Sequence, residues 1–383
     1  MPIPEVVVDV TRASQLDEVK DRLAHVQDLA VDVEADSMHH FRASLCFVQV
    51  GTDERIFLLD TLVPEVRVSA LAEVFADEAR TKVFHAAMGD LQYLAEAGIR
   101  VAGLFDTHRA ATLLNWPKVG LGDLVSEKLG ATLKKEHQQA DFSVRPLPGE
   151  LRAYIADDVR YLTTLGRMVK QACRDADILE EVELDCARMC AEAQVRPDLT
   201  KAELKIPKQG LNPKQAQLAT AIGQRLHTLR LRLAEQADVP MGRMLSNTAL
   251  GEVAARAPTT LKDLARIKNV RGQFARDHGD EVVALVREAI DAQRAGSLEL
   301  QEEEKREREP GKRRREEALL AFRKEAAAKR NVTGSVVLSN PLVAEIASLD
   351  PRDPEQLVAL PFFGRKRLAL YGEAIVATLA AVR

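Results

Sequence analysis

The first 115 residues alternate short apolar segments with longer amphipathic ones. The short segments are rich in Val, Ile, Leu and Phe, which favours β-strands, whereas the longer ones repeat their apolar positions every three or four residues, as helices do. Strands that alternate with helices predict an α/β core, with a mixed sheet and flanking helices. The predicted strands are Glu5–Val10, Leu29–Val33, Ser44–Val50, Arg55–Leu59 and Lys82–His85, and the predicted helices are Ser14–His25, Val68–Phe75, Met88–Ala97 and Thr107–Leu114.

Beyond Leu121 the pattern becomes almost wholly helical. Apolar residues keep the helical spacing through Gly149–Val169 and again through Gln171–Val195, with few helix-breaking residues, which predicts two consecutive helices. Prolines then interrupt the chain between residues 197 and 213, and such punctuation is typical of a boundary between domains. We therefore expect the α/β domain to cover residues 1–196.

A sequence repeat organises the rest of the chain. The segment Asp238–Asn247 aligns with Asn331–Asn340, and both end in Leu-Ser-Asn. The helical pattern continues beyond each copy, so each copy predicts a small all-helical domain. Between them, Leu298–Glu317 is a run of mixed charge, for which a solvated helix or a flexible linker is expected. The domains predicted from this organisation are residues 205–295 and 316–383, joined by a charged linker at residues 296–315.

The formal net charge of −4 conceals an asymmetry between the two halves of the chain. Residues 1–199 hold 22 Lys+Arg against 34 Asp+Glu, a net charge of −12, whereas residues 200–383 hold 32 against 24, a net charge of +8. A basic half can attract a polyanion, because contacts to phosphate are mainly electrostatic. A charge-rich solvated surface explains the same numbers, so composition alone leaves nucleic-acid binding open.

Composition also argues against several classes of protein. No stretch approaches ~18 uncharged apolar residues and no basic-then-apolar leader begins the chain, so we expect a cytoplasmic protein without a membrane span. The four cysteines lack CxxC spacing, which argues against a disulfide framework or a zinc site. The sequence has no Gly-rich phosphate loop ending in Gly-Lys-Ser/Thr, and an ATP-driven motor is therefore not expected.

Four acidic residues stand where strand and helix geometry would bring them together. Asp32 and Glu34 lie two apart at the end of a predicted strand, so their side chains project from the same face. Asp90 opens the helix that follows the fifth predicted strand, and Tyr154 and Asp158, four apart, share one face of a helix. Converging carboxylates repel one another unless divalent cations compensate them, and Mg²⁺ or Mn²⁺ are hard ions that prefer oxygen ligands.

An Asp-x-Glu triplet is weak evidence alone, because a chain with 58 acidic residues shows such triplets by chance. The position of Asp32 makes it informative, since it follows the apolar run Leu29–Val31, where packing gives no reason for a carboxylate. Asp36 and Asp157 are further candidates by proximity. We expect Asp36 to be a loop residue or a support for the ligands, and Asp157 to point about 100° away from Asp158 on the helix.

The order of these residues resembles the motifs of the DEDD superfamily of 3′→5′ exonucleases, and within it the ribonuclease D family. The first motif resembles Val31–Ser37 together with Leu45–Gln49, the second Val83–Leu91 and the third Tyr154–Leu162. The usual Asp-Thr-Glu of the first motif is Asp-Val-Glu in this chain, which keeps both carboxylates. The resemblance covers about residues 3–195, and the ordered set is far more specific than any single triplet.

This resemblance implies a ribonuclease H-like α/β core and a two-metal mechanism. Tyr154 stands four residues before the last aspartate, as in the tyrosine subclass, whereas the histidine subclass would place its base at Ala153. Tyr154 would then orient the attacking water. The implied ligands of two divalent cations, Mg²⁺ or Mn²⁺, are Asp32, Glu34, Asp90 and Asp158.

Further residues near these motifs are candidates for contacts to the substrate. We expect His85 to be a structural or supporting residue rather than a ligand, because imidazole is not a preferred partner of Mg²⁺. Lys134, Lys135 and Arg145 are candidates for contacts to substrate phosphates, and a solvated loop explains them nearly as well.

The basic half resembles helicase-and-ribonuclease-D C-terminal (HRDC) domains, most clearly over Leu211–Ile290 and less clearly over residues 316–383. Such domains imply auxiliary binding of nucleic acid, although some of them bind proteins instead.

The complete resemblance implies an exoribonuclease that removes nucleoside 5′-monophosphates from RNA 3′ ends, with structured RNA such as tRNA precursors as substrate. Two alternatives remain. The chain could be a DNA 3′→5′ exonuclease, because contacts to the 2′-hydroxyl have no short motif. It could also be a catalytically idle RNA-binding scaffold, against which the complete carboxylate set argues.

Overall fold

The structure is a computed structural model, and it describes residues 3–134, 136–193, 204–300 and 309–382. These residues fall into two compact units. The sheet unit contains the described residues within 1–35, 45–196 and 307–383, and the helical unit contains those within 36–44 and 197–306.

A mixed sheet of six strands forms the centre of the sheet unit. The strands are β1 (Val6–Val10), β2 (Asp28–Ala35), β3 (Leu45–Gly51), β4 (Arg55–Asp60), β5 (Thr81–Phe84) and β6 (Leu104–Asp106). Their order in the sheet is β1-β4-β3-β2-β5-β6, with antiparallel pairs at β4-β3 and β3-β2 and parallel pairs elsewhere. All five predicted strands are confirmed, whereas β6 was missed, because three residues are too short to show a period.

Helices surround the sheet and share one hydrophobic core with it. The four helices predicted in the first 115 residues are confirmed to within about two residues, except that a 3₁₀ turn, Val68–Leu71, precedes the second. The helices of this domain are α1 (Ala13–Leu23), α2 (Ala72–Ala76), α3 (Met88–Glu96), α4 (Thr107–Leu113), α5 (Leu121–Leu129), α6 (Gly149–Arg160), α7 (Leu162–Asp175) and α8 (Leu179–Glu192).

The prediction of two helices between residues 149 and 195 was wrong, because the described residues there form α6, α7 and α8. Tyr161 separates α6 from α7 with φ −102° and ψ −6°, a local bend that leaves the apolar spacing unbroken and therefore invisible in the sequence. Asp177 separates α7 from α8 in the left-handed region, φ 53°. Asp tolerates that conformation better than most residues, so a helix can end there without glycine.

The two repeats are both helical bundles. The copy in the helical unit contains α9 (Pro213–Gln236), α10 (Met241–Met244), α11 (Asn247–Arg256), α12 (Leu261–Ala265) and α13 (Gly272–Arg294). The copy in the sheet unit contains α14 (Lys312–Arg330), α15 (Gly334–Val337), α16 (Asn340–Leu349), a 3₁₀ segment, Pro354–Ala359, and α17 (Arg365–Ala380). We call them the N-terminal and C-terminal repeats. Residues 301–308 of the predicted charged linker lie outside the described residues.

Equivalent hydrogen bonds show that the repeats share one internal design. In the N-terminal repeat, Arg230 donates to the carbonyl of Leu245 at 3.1 Å and to Oδ1 of Asn247 at 2.6 Å. In the C-terminal repeat, Arg323 makes the same pair of bonds, to the Leu338 carbonyl at 3.2 Å and to Asn340 Oδ1 at 2.8 Å. The Leu-Ser-Asn match in the sequence therefore marks the position where an arginine holds the start of the following helix.

The C-terminal repeat packs against α8 of the α/β domain. Arg188 on α8 forms a bidentate ion pair with Glu345, at 2.6 and 2.9 Å. Val336 is buried in the same hydrophobic core as the sheet. Among the described residues, no helix is both long and apolar enough to cross a membrane.

Candidate active site

The strand β2 carries Asp32 and Glu34, and the alternation of a strand sends both side chains to one face. β2 pairs with β3 in antiparallel register, and the register shifts between Glu34 and Ala35. Such an irregularity is common beside functional sites, where it changes the direction of a side chain. The predicted position of the pair near the end of a buried strand is therefore what the structure shows.

Two helices bring the remaining predicted residues to this face. Asp90 lies in the first turn of α3, the helix that follows β5. Tyr154 and Asp158 lie one turn apart on α6, and their side chains are hydrogen-bonded to each other. The carboxylate oxygens of Asp32, Glu34 and Asp158 lie within 4.8 Å of one another. Asp90 lies outside this group of three but is close enough to interact electrostatically with all of them.

Asp32, Glu34 and Asp158 line a cleft of about 480 Å³, whereas Asp90 is not among its lining residues. Its lining includes Lys134 and His85 beside the catalytic candidates, and also residues that the sequence analysis did not single out, because glycine, glutamine and aliphatic side chains carry no charge that would mark them. The additional lining residues are Val33, Gly120, Leu121, Gly122, Leu133, Gln138 and Leu162.

Burial and mutual repulsion dominate the electrostatics of the four carboxylates. Burial, followed by the charge of Asp90, raises the pKa of Asp32 well above its usual range. Burial and then the charges of Asp32, Asp158 and Asp90 raise the pKa of Glu34 to about 10. Burial and the charge of Asp32 raise the pKa of Asp158 to about 8, and burial with the charges of Asp106 and Asp158 raises that of Asp90 to about 7. These carboxylates therefore need a compensating positive charge to ionise together.

The other predicted residues are placed differently. His85 lines the cleft, lies 2.9 Å from the Thr107 hydroxyl through Nδ1, and has a pKa lowered by burial to about 4, so its ring is neutral. Lys134 also lines the cleft, whereas Lys135 lies outside the described residues. Arg145 is not among the lining residues, because its guanidinium binds both carboxylate oxygens of Asp60, at 2.6 and 2.7 Å. The structure therefore gives Arg145 a place in the scaffold and no place at the cleft.

The two neighbouring acidic candidates do not belong to the group of three close carboxylates. Asp36 is buried, and its Oδ1 accepts a hydrogen bond from the Ser44 amide at 2.5 Å. Asp157 pairs with Arg160 at 2.6 Å. Both positions agree with the sequence analysis, which expected a loop or supporting role for the first and an outward direction for the second.

Comparisons with known proteins match two kinds of domain along this chain. The profile of the 3′-5′ exonuclease family matches residues 7–171, and the HRDC domain profile matches residues 219–286 and 312–379. Ribonuclease D of Gluconacetobacter diazotrophicus is 32% identical over 268 residues, 70% of this chain and 67% of that protein. Ribonuclease D of Acidiphilium cryptum is 29% identical over 369 residues, 96% of this chain and 91% of that protein.

The fold extends the similarity over the complete chain. The crystal structure of Escherichia coli RNase D superposes with a TM-score of 0.69 at 23% identity, covering 97% of this chain and 98% of that one. The chain spans only about a third of the length of two other relatives, 35% of protein RRP6-like 2 of Arabidopsis thaliana and 32% of exosome complex component 10 of Mus musculus. An exonuclease fold with a carboxylate cleft, followed by HRDC domains, defines a class of nuclease. The chain belongs to the ribonuclease D family of 3′→5′ exoribonucleases.

Proposed function

We propose that this 3′→5′ exoribonuclease uses two divalent cations, Mg²⁺ or Mn²⁺, to remove nucleotides from the 3′ end of structured RNA. The observation that carries the proposal is the carboxylate group in the cleft, with oxygens of Asp32, Glu34 and Asp158 within 4.8 Å. Asp90, in the first turn of α3, supplies the fourth carboxylate. Oxygen ligands of this kind suit hard divalent ions.

The residues present fit such cations. Among the described residues, no Lys or Arg side chain forms an ion pair with any of the four carboxylates, and burial and repulsion raise the pKa of each. Asp32, Glu34, Asp90 and Asp158 would hold the cations by their carboxylate oxygens. Divalent cations at these positions supply a water of lowered pKa and compensation for the charge that develops on the phosphate.

The chain itself supplies the orientation of the water. Burial, followed by the charges of Asp158, Glu34 and Asp32, raises the pKa of Tyr154 above its ordinary value. Its phenol therefore stays protonated near neutral pH. We infer that Tyr154 acts as a hydrogen-bonding group that orients the attacking water and does not remove its proton. Lys134 in the cleft is a candidate contact for a substrate phosphate.

The substrate follows from two considerations. Two relatives that this chain matches over most of their length are named ribonuclease D, and the solved Escherichia coli protein is described as acting in structured RNA processing. Exposed basic side chains are the usual contacts to RNA phosphates. Between residues 243 and 271 the N-terminal repeat exposes several of them, including Arg243, Lys262, Arg266, Lys268 and Arg271. We propose RNAs with a structured body and a free 3′ end, such as tRNA precursors, as substrates.

One assay tests the proposal. Purified protein is incubated with matched RNA and DNA oligonucleotides that carry a free or a blocked 3′ end, in Mg²⁺, Mn²⁺ or EDTA, and the products are resolved by length. We expect stepwise shortening of unblocked RNA with release of nucleoside 5′-monophosphates, and none in EDTA. Preferred cleavage of DNA would favour a DNA exonuclease, and binding without cleavage in either metal would favour an idle scaffold.

A further inference from the structure

A buried carboxylate ties together the starts of two helices next to the cleft. Asp106, at the end of β6, is fully buried. Its Oδ1 accepts a hydrogen bond from the Arg109 amide at 2.8 Å, which caps α4. Its Oδ2 accepts a hydrogen bond from the Ala87 amide at 2.7 Å. Ala87 is the residue directly before α3, so one side chain fixes the N-termini of both helices.

Thr107, the residue after Asp106, also binds the turn between β5 and α3. The Thr107 hydroxyl donates to the Phe84 carbonyl at 2.9 Å. Because that bond uses the hydroxyl hydrogen, Nδ1 of His85, 2.9 Å away, donates to the hydroxyl oxygen. Between the two contacts, Ala86 has φ 63°, a left-handed conformation that alanine rarely adopts. The turn from β5 into α3 is therefore a strained one, and surrounding contacts must maintain it.

Residues 84–87, which these hydrogen bonds hold in place, lead directly to Asp90. Asp90 lies three residues after Ala87 and within the first turn of α3. The direction of a carboxylate in that turn depends on where the helix starts and how it is rotated about its axis, since each residue advances the rotation by about 100°. Whatever fixes Ala87 therefore fixes the position of Asp90 relative to the carboxylates on β2 and α6.

Asp106 is itself held in place from α8. Its amide donates to Sγ of the buried Cys186 at 3.4 Å. The side chain of Arg109, whose amide it caps, bonds Asp185 through Nε at 3.0 Å. These contacts connect the β6–α4 junction to α8, and the bond to Cys186 gives Asp106 an anchor outside the two helices that it joins.

We propose that Asp106 and Thr107 are positioning residues for the metal ligand Asp90: their hydrogen bonds to residues 84–87 hold the start of α3 so that Asp90 can share a cation with the other carboxylates. This inference rests on the proposed function, because it takes Asp90 as a ligand. Neither residue lines the cleft. Supporting hydrogen bonds of this kind commonly affect metal affinity about as strongly as they affect turnover.

The test measures binding of Mn²⁺ directly by isothermal titration calorimetry on the full chain, without substrate. Asp106→Asn retains a cap for α4 but offers only one acceptor, so it can keep only one of the two backbone bonds. Thr107→Val keeps the shape, removes the bond to Phe84 and changes no charge. We expect Asp106→Asn to weaken Mn²⁺ binding about tenfold or more, and Thr107→Val to weaken it by a smaller factor in the same direction.

Turnover provides a second measurement. Because the ligand itself remains, raising the Mn²⁺ concentration should restore most of kcat in both variants, whereas Asp90→Asn should not be restored. Ser246→Ala is the control for general destabilisation, because it removes the cap of α11, whose side chain accepts from the Ala249 amide at 3.1 Å. Its melting temperature should fall while its affinity for Mn²⁺ stays unchanged.

The outcomes separate this inference from the function on which it rests. If Asp90→Asn binds Mn²⁺ as the wild type does, Asp90 is not a ligand and the proposed carboxylate set is wrong. If Asp90→Asn binds weakly while Asp106→Asn and Thr107→Val bind normally, the set stands and the positioning role is overturned. Weak binding in Asp106→Asn with normal binding in Thr107→Val would assign the effect to charge and would also overturn positioning. If Asp106→Asn does not fold, Thr107→Val decides alone.

Discussion

The sheet unit contains two groups of carboxylates with little exposure to solvent. The two groups differ in whether Lys or Arg side chains are paired with them. In the α8 cluster, Glu181 is fully buried and is paired with Arg330 at 2.7 Å and with Lys366 at 3.2 Å. Asp185, 5% exposed, is bonded by Arg109 and lies 4.0 Å from Arg367. In the cleft, the carboxylates of Asp32, Glu34, Asp90 and Asp158 have no such partner among the described residues.

The difference shows what distinguishes a candidate metal site from a structural ion-pair network. The α8 carboxylates are buried and the cleft carboxylates are partly buried, and acidic side chains are crowded in both groups. The α8 cluster is compensated by cations of the C-terminal repeat, and breaking such a buried pair is costly because it leaves a charge without a partner. In the described chain no Lys or Arg forms an ion pair with the cleft carboxylates, and a divalent cation would relieve their mutual repulsion.

The largest expected effect is on the cleft. Asp158→Asn or Asp32→Asn removes the negative charge of one proposed metal ligand at nearly constant side-chain volume. The rate of hydrolysis should therefore fall at least about 10³-fold, equivalent to about 4 kcal/mol. RNA binding and the fold should remain. The matched control is Asp157→Asn, the neighbouring residue on α6, which pairs with Arg160 and should keep activity within about threefold. Single-turnover cleavage with saturating Mg²⁺ is the measurement, and full activity in either cleft variant would contradict the metal assignment.

The α8 cluster should respond in stability. Arg367 is fully buried, and its guanidinium reaches Asp185 and the carbonyls of Val336, Val337, Phe362 and Phe363. Arg367→Ala should therefore lower the free energy of unfolding by about 3–5 kcal/mol. Arg271, which bonds the Arg243 carbonyl in the N-terminal repeat, is exposed, and Arg271→Ala should change it by less than about 0.5 kcal/mol. Denaturant titration checks both, and equal decreases would mean that burial is not what separates them.

The cleft is the part of this comparison that could be predicted from the sequence. Asp32 and Glu34 follow the period of a strand, and Tyr154 and Asp158 follow the period of a helix, so each pair was visible in a local pattern. The α8 cluster was not visible, because Glu181 and Arg330 lie 149 residues apart. No local spacing relates such residues, and only the packing of the C-terminal repeat on α8 brings them together.

Long separation in the sequence also hid two other contacts. Asp106 and Ala87 are 19 residues apart, and their hydrogen bond joins two turns rather than two faces of one element. Arg145 and Asp60 are 85 residues apart, so no local pattern showed that this basic loop residue is paired with a carboxylate of the protein itself. A charged residue in a sequence shows which partners it can take, and the fold decides which partner it has.

The stability of the metal-free protein should depend on pH through the cleft carboxylates. The pKa values of Glu34, Asp158 and Asp90 are raised in the folded protein, so the folded state holds protons that the unfolded state has already released. Stability of the metal-free protein should therefore fall as pH rises from about 5 to about 8. Mg²⁺ should reduce the fall by binding the ionised carboxylates. Melting temperatures in EDTA and in Mg²⁺ check this, with Asp32→Asn expected to show a shallower fall in EDTA.

Tyr154→Phe should have a smaller effect than removal of a carboxylate. The ring still packs beside Phe142, whose centroid lies 6.2 Å away, and only the hydroxyl is removed. We expect single-turnover cleavage to fall about 10- to 100-fold while Mn²⁺ affinity changes little, because orienting a water contributes less than metal binding. An unchanged cleavage rate would remove Tyr154 from the mechanism, and a large decrease in metal affinity would make it a support for Asp158 instead.

The smallest effect concerns the two repeats and the salt dependence of RNA binding. The α8 cluster uses Arg330, Lys366 and Arg367 of the C-terminal repeat, whereas Lys268 and Arg271 of the N-terminal repeat are exposed. If Lys268 and Arg271 bind RNA phosphates, replacing both by alanine should weaken RNA binding a few-fold. The slope of log affinity against log salt concentration should also fall, by about 0.7–0.9 for each phosphate that is no longer neutralised. Cleavage of a short oligonucleotide should be unchanged. Lys366→Ala should lower the melting temperature and leave the slope as it is. An equal slope in the double variant would mean that the N-terminal repeat binds a protein or acts as a spacer.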